Sequence, residues 1–165
     1  MTKEVLDDMI VHALDGYPLE ACGLLVGTAT DAHTRIVRLV RSVNLAASAL
    51  VYTIDPRVHL RAERDAENED LAVVGVMHSH THTDPFPSPT DVASAPDPTW
   101  QYIIVSLRDA SPALRSYRIV DGIVTEEPVV IEDRQTEDND DDALSVTFDD
   151  TRTEDFREEG REIPY

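Results

Sequence analysis

The sequence predicts an α/β protein, a sandwich of helices packed on a mixed sheet. Three observations carry this reading. Segments with helical periodicity are interspersed with short β-rich runs. One run, LAVVGVMH (71–78), is apolar on both faces, as in a strand covered from both sides. Near the end, Asp121-Gly122 separates two further β-rich runs and predicts a hairpin.

Leu6, Met9, Ile10, Ala13 and Leu14 recur at helical spacing, so residues 3–15 read as an amphipathic helix that Gly16 and Pro18 end. CGLLVG (22–27) is a short buried strand. TRIVRLVRSV (34–43) alternates apolar and basic residues, which leaves one face wet. LVYTI (50–54) is another β-rich stretch. Asp55 and Pro56 form a helix start, N-cap then first turn, for a helix reaching about Asn68. Ser88-Pro89 opens a short helix through about Ala95. WQYIIVSL (100–107), LRSYRIV (114–120) and IVTEEPVVI (123–131) close the sheet.

The chain has 165 residues, enough for one domain with one core. Its net charge is −19, which repels nucleic acid backbones and anionic membranes. No apolar run reaches the roughly 18 residues of a membrane span, and the N-terminus lacks a signal-peptide core. With the single cysteine, Cys22, this reads as a cytoplasmic protein without disulfides. Residues 134–165 hold 12 acids and 4 arginines, a net of −8, with few apolar residues. The expected organisation is a domain over 1–133 and a disordered acidic tail over 134–165, either a solvated tail or an arm for a basic partner.

The chemistry concentrates in VMHSHTHTDPFPSPTD (76–91). His78 and His80 are two residues apart at the end of a strand, so they project from one face. Two imidazoles side by side are half of a zinc site, and a catalytic zinc takes three protein ligands and leaves one position open. Asp91 is the candidate third ligand, because the Pro-rich turn folds the chain back and places it one turn into the next helix. Ser88 and Asp91 also match a helix capping box, a role compatible with ligation. His82 continues the alternation and reads as a rim residue. Cys22 reads as a small core residue, and Phe86 as a groove-lining or loop-packing residue.

The order His-x-His, seven residues, Ser, two residues, Asp resembles the motif of the JAMM/MPN+ zinc metallopeptidases. Glu20 in YPLEACGLLVG matches the upstream glutamate of that family. The resemblance covers about residues 1–131 and implies a three-layer α/β/α, cytidine-deaminase-like fold. It implies one zinc ion held by His78, His80 and Asp91. Glu20 would be the general base and acid, and Ser88 the hydrogen-bond donor to the oxyanion.

The stretches EACGLL, HSHT with PSPTDV, YIIVSLRD and LRSYRIVDGIVTEEPV are most similar to prokaryotic stand-alone members that act on sulfur-carrier proteins. This implies hydrolysis at the Gly-Gly C-terminus of a ubiquitin-like or sulfur-carrier protein, with release of cysteine from a carrier–cysteine adduct in cysteine biosynthesis. One alternative is a deconjugating isopeptidase for small archaeal ubiquitin-like modifiers. A second is a zinc-free MPN scaffold, which the full set of five motif residues disfavours. A deaminase would need a Cys-x-x-Cys ligand pair, and one cysteine cannot supply it.

Overall fold

The computed structural model describes residues 1–30 and 32–132, so the acidic segment 134–165 lies outside the described residues. The elements run α1 (Lys3–Gly16), β1 (Cys22–Ala29), β2 (Thr34–Ser42), α2 (Pro56–Glu67), β3 (Ala72–His80), α3 (Pro89–Ala93), β4 (Gln101–Ser106), β5 (Ala113–Val120) and β6 (Ile123–Glu127). The strands form one six-stranded mixed sheet in the order β2-β1-β3-β4-β5-β6. Only β3 and β4 pair in parallel; the other neighbours are antiparallel.

Successive residues of a strand face opposite ways, and β3 divides the core accordingly. Met77 joins Val5, Met9 and Ala13 of α1, Leu25 of β1 and Ile103 of β4 on one face. Val76 joins Tyr102, Ile104, Tyr117 and Ile119 on the other, capped by Val92 and Ala95 and by Tyr52 and Ile54. The His59 ring of α2 lies 5.7 Å from Trp100, which packs on that second cluster, so α2 covers the face opposite α1. Helices on both faces make the three-layer α/β/α sandwich.

Caps fall where the sequence puts them. The Asp55 carboxylate accepts the Arg57 amide at 2.8 Å, with Pro56 at the first helical position.

Three expectations change. The buried stripe of α1 runs Val5–Met9–Ala13, while Leu14 is exposed, because the helix is rotated from the face the apolar count suggests. Strand β6 stops at Glu127, ahead of Pro128, which lacks the amide that a ladder needs. Residues 50–54 form no strand, because the Asn44 side chain takes the backbone groups a strand partner would use: Nδ2 donates to the Val51 carbonyl and Oδ1 accepts the Thr53 amide, both at 3.0 Å.

Gly75 lets β3 approach β4. A Cβ there would meet the Gln101 carbonyl oxygen at 2.2 Å and its amide nitrogen at 2.9 Å. Backbone cannot swing aside as a flexible side chain can. Gly75→Ala is expected to cost about 2–4 kcal/mol by overpacking, read as a lowered denaturation midpoint at unchanged slope.

Candidate metal centre

Strand β3 ends in the stretch that matters. His78 and His80 share the parity of Val76 and so face the second core cluster, away from α1. Both are buried. Their Nε2 atoms lie 3.2 Å apart.

Asp91 reaches them from α3. The chain turns through 81–87, and Ser88 caps the helix. The Ser88 hydroxyl oxygen accepts the Asp91 amide at 3.2 Å, while an Asp91 carboxylate oxygen accepts the Ser88 amide at 2.7 Å. This capping box fixes the aspartate's rotamer toward the strand end. Its Oδ1 stands 3.5 Å from His78 Nε2 and its Oδ2 3.5 Å from His80 Nε2. The three ligand atoms therefore converge, all within 4.8 Å of one another, and form a candidate metal site.

The turn before α3 is tied down at several points. His80 Nδ1 lies 2.8 Å from the Asp84 carbonyl. A carbonyl only accepts, so Nδ1 carries a proton in either state of the ring: the cation can also donate from Nε2 to Asp91, and the neutral ring presents its Nε2 lone pair to the cluster. The Ser106 hydroxyl donates to the Thr83 carbonyl at 2.6 Å, the Tyr117 hydroxyl to the Pro85 carbonyl, and Arg108 pairs with Asp84.

Glu20 arrives from the start of β1. In the β1–β3 register Cys22 faces His78. One residue earlier, the Ser79 amide donates to the Ala21 carbonyl at 2.9 Å and the Ala21 amide to Ser79 Oγ at 2.8 Å. Period-two alternation then sets Glu20 beside His80 on the cluster's face. The glutamate is buried, and its Oε2 has no hydrogen-bond partner. Burial pushes its pKa up to about 7; His80 pulls it down and Asp91 raises it further.

Charge is distributed unevenly among these groups. Burial works against the Asp91 anion, but hydrogen bonds from His78 and His80 outweigh it and hold the carboxyl well below its usual range. Burial lowers His78. The same burial opposes His80, yet its bonds to Asp91 and Asp84 leave it raised.

The structure thus brings together His78, His80, Asp91, Ser88 and Glu20. His82 stays outside the cluster: it is exposed, with its Nδ1 2.7 Å from Thr81 Oγ1 and its ring 6.2 Å from that of Tyr17. Phe86 is exposed and packs edge-on to Tyr117. Cys22 is buried, and burial raises its thiol to about 12, a core residue rather than a nucleophile.

Sequence reasoning missed Tyr52, whose ring stacks on His78 with centroids 4.4 Å apart. It missed Asn44 too, which donates to the Glu20 carbonyl at 3.0 Å. The signal for Tyr52 was masked by its place in a β-rich run; a lone asparagine in a connection gives none.

A mixed α/β sandwich with two strand-borne histidines, a helix-borne aspartate and a buried glutamate defines a protein of the JAMM/MPN class. Residues 2–120 match the family described as prokaryotic homologs of the JAB domain, and the chain belongs to that family. It is 41% identical over 127 residues to the CysO-cysteine peptidase of Mycobacterium tuberculosis, covering 76% of this chain and 86% of that protein. It is 35% identical over 83 residues to the desampylase of Pyrococcus furiosus, covering 50% of this chain and 56% of that one. Among solved structures, a protein of Desulfitobacterium hafniense superposes with a TM-score of 0.74 at 33% identity, covering 80% of this chain and 91% of that one. Among the described residues no helix is long and apolar enough to cross a membrane.

Glu20 makes the metal-free protein's stability depend on pH. Its folded pKa of about 7 exceeds the ordinary glutamate value of 4.5, so the folded state holds the extra proton between them. That contribution is fully present below about 4.5 and is lost as pH rises toward 7. Glu20→Gln removes the titration. In chelator, the variant's stability advantage over wild type is expected to grow from near zero at acid pH to about 2 kcal/mol above neutrality, followed by urea titration across the range. An advantage that stays flat would mean the carboxyl is hydrated or partnered.

Proposed function

We propose that this protein is a zinc-dependent hydrolase of the bond that follows the Gly-Gly C-terminus of a ubiquitin-like or sulfur-carrier protein. The reading favoured is release of cysteine from a carrier–cysteine adduct, a step of cysteine biosynthesis. The observation that carries it is the convergence of His78, His80 and Asp91 ligand atoms beside the buried Glu20, whose Oε2 has no hydrogen-bond partner.

These ligand atoms suit zinc. Two imidazole nitrogens and a carboxylate oxygen are zinc-type donors, and three ligands leave the fourth tetrahedral position open. Bonds of 2.0–2.1 Å set tetrahedral ligand atoms about 3.3–3.4 Å apart; the two Nε2 atoms lie 3.2 Å apart, each stands 3.5 Å from a different Asp91 oxygen, and one ligand atom from each residue falls within 4.8 Å of the others.

When bound, zinc would supply Lewis acidity that activates water and polarises the scissile carbonyl. The chain's own groups do the rest. Glu20, with its pKa raised toward neutrality by burial, accepts a proton from the attacking water and returns it to the leaving amine. Ser88 accepts the Asp91 amide with its oxygen, which leaves the hydroxyl hydrogen free to meet the developing oxyanion. His80 is held in one tautomer by Asp84. The peptide segment would enter extended, as strands add to a sheet edge.

Similarity to the CysO-cysteine peptidase over most of both chains favours cysteine release. Similarity to the desampylase over a shorter stretch supports the second reading, isopeptide cleavage between a ubiquitin-like modifier and a lysine. A scaffold has no use for a buried glutamate with an unpartnered Oε2.

Intact mass spectrometry separates the readings. Zinc-loaded protein is offered a Gly-Gly-ending carrier with an added cysteine, and the same carrier in isopeptide linkage to lysine. Loss of cysteine alone is the expected result, abolished by chelator, restored by zinc and absent in Glu20→Ala. Isopeptide cleavage would make it a deconjugase; no Glu20-dependent cleavage of either would sink the hydrolase reading. Ser88→Ala is expected to lower kcat by about 10²–10³ through loss of the oxyanion donor. It should also cost about 1 kcal/mol of stability through loss of the cap; steady-state kinetics and a melting curve read the two effects separately.

A further inference from the structure

Imidazoles that bind metal are held by a hydrogen bond on the ring nitrogen that faces away from the ion. His80 has such a bond: its Nδ1 lies 2.8 Å from the Asp84 carbonyl and 3.0 Å from Thr83 Oγ1. His78 does not. Its Nδ1 is buried with no hydrogen-bond partner.

What His78 has is Tyr52. The two rings lie 4.4 Å apart, 23° from parallel. Tyr52 sits in the irregular segment between β2 and α2, and Asn44 straddles it. The Asn44 amide nitrogen donates to the carbonyl just before Tyr52, and its oxygen accepts the amide just after. The same nitrogen donates to the Glu20 carbonyl at 3.0 Å. One side chain thereby holds the backbone at Glu20 and at Tyr52 together.

The torsion that swings an imidazole is broad, so a ring with neither a hydrogen bond nor a packed face has no fixed plane. We propose that Tyr52 is a positioning residue of the metal centre: its ring, clamped by Asn44, sets the plane of His78 in place of a hydrogen bond to Nδ1. This rests on the reading of the site as a zinc centre. The stack needs the aromatic face and not the hydroxyl. Tyr52 therefore acts on how well the site holds its ion, through His78, without touching substrate.

Zinc affinity of the full chain tests this, by competition with a chromophoric chelator. Tyr52→Leu is expected to weaken zinc binding about 10–100-fold, with kcat recovered at saturating zinc. Tyr52→Phe should bind as wild type does. Should the leucine variant fail to fold, Tyr52→Met removes the aromatic face with a flexible side chain that adapts to the space left. A role in packing alone would lower the melting temperature of the metal-free protein and leave zinc affinity unchanged, and that result would overturn the proposal. So would a phenylalanine variant as weak as the leucine one, since it would assign the effect to the hydroxyl. If wild type itself bound no zinc, the metal-centre reading would fall and this inference with it.

Discussion

The antiparallel register between β1 and β3 is the constraint on which the candidate site depends. Cys22 sits opposite His78, and the pairing extends past the end of β1 through two bonds between Ala21 and Ser79. Side chains alternate with a period of two, so this register decides on which face Glu20 lies. A slip of one residue would turn Glu20 toward α1 and leave the histidines without an acid beside them. On the other edge of β1, a close approach that excludes a side chain holds the pairing with β2. At Gly27 a Cβ would lie 1.9 Å from the Arg35 carbonyl oxygen, so β1 can meet β2 only with glycine there.

The site then sorts its two carboxyl groups by environment. Asp91 is held ionised by the imidazoles and by the Ser88 amide. Glu20 is buried with one oxygen unpartnered and pushed up to about 7. Two acids with separated proton affinities are the arrangement in which one serves as a permanent anion and the other exchanges protons. Burying Glu20 this way disfavours its ionised form, and the apolar clusters on both sheet faces must offset that.

Much of this was legible in the sequence because it rests on local rules. The His-x-His parity follows from strand geometry, and the serine–aspartate spacing follows from a capping box. The proline and aspartate at the start of α2 read correctly for the same reason. What was not legible depends on partners distant along the chain. The face of α1 is chosen by what Leu25, Met77 and Ile103 leave open, so Leu14 ends up outside. Residues 50–54 have strand composition, yet the side chain of Asn44 captures their backbone groups. Composition records the propensity of that run, not the competing hydrogen bonds.

The site is consequently walled by two irregular segments, both pinned by side chains bonded to backbone. Residues 81–87 are held by Ser106, Tyr117 and His80, and residues 44–53 by Asn44. Backbone polar groups outside regular ladders must find partners, and here those partners fix the walls. Strand β3, the residue ahead of β1 and α3 contribute His78, His80, Glu20 and Asp91, a set that suits the proposed hydrolysis without naming what is hydrolysed. On the proposed reading, discrimination between an adduct ending in cysteine and an isopeptide to lysine would fall to the surroundings of the cluster, where Tyr17, His82 and Phe86 are exposed. A leaving cysteine carries a free carboxylate; a leaving lysine carries a protein. The first would ask the rim for a small polar recess, the second for open space, and under the proposed function the choice between them would reduce to which of these the rim provides.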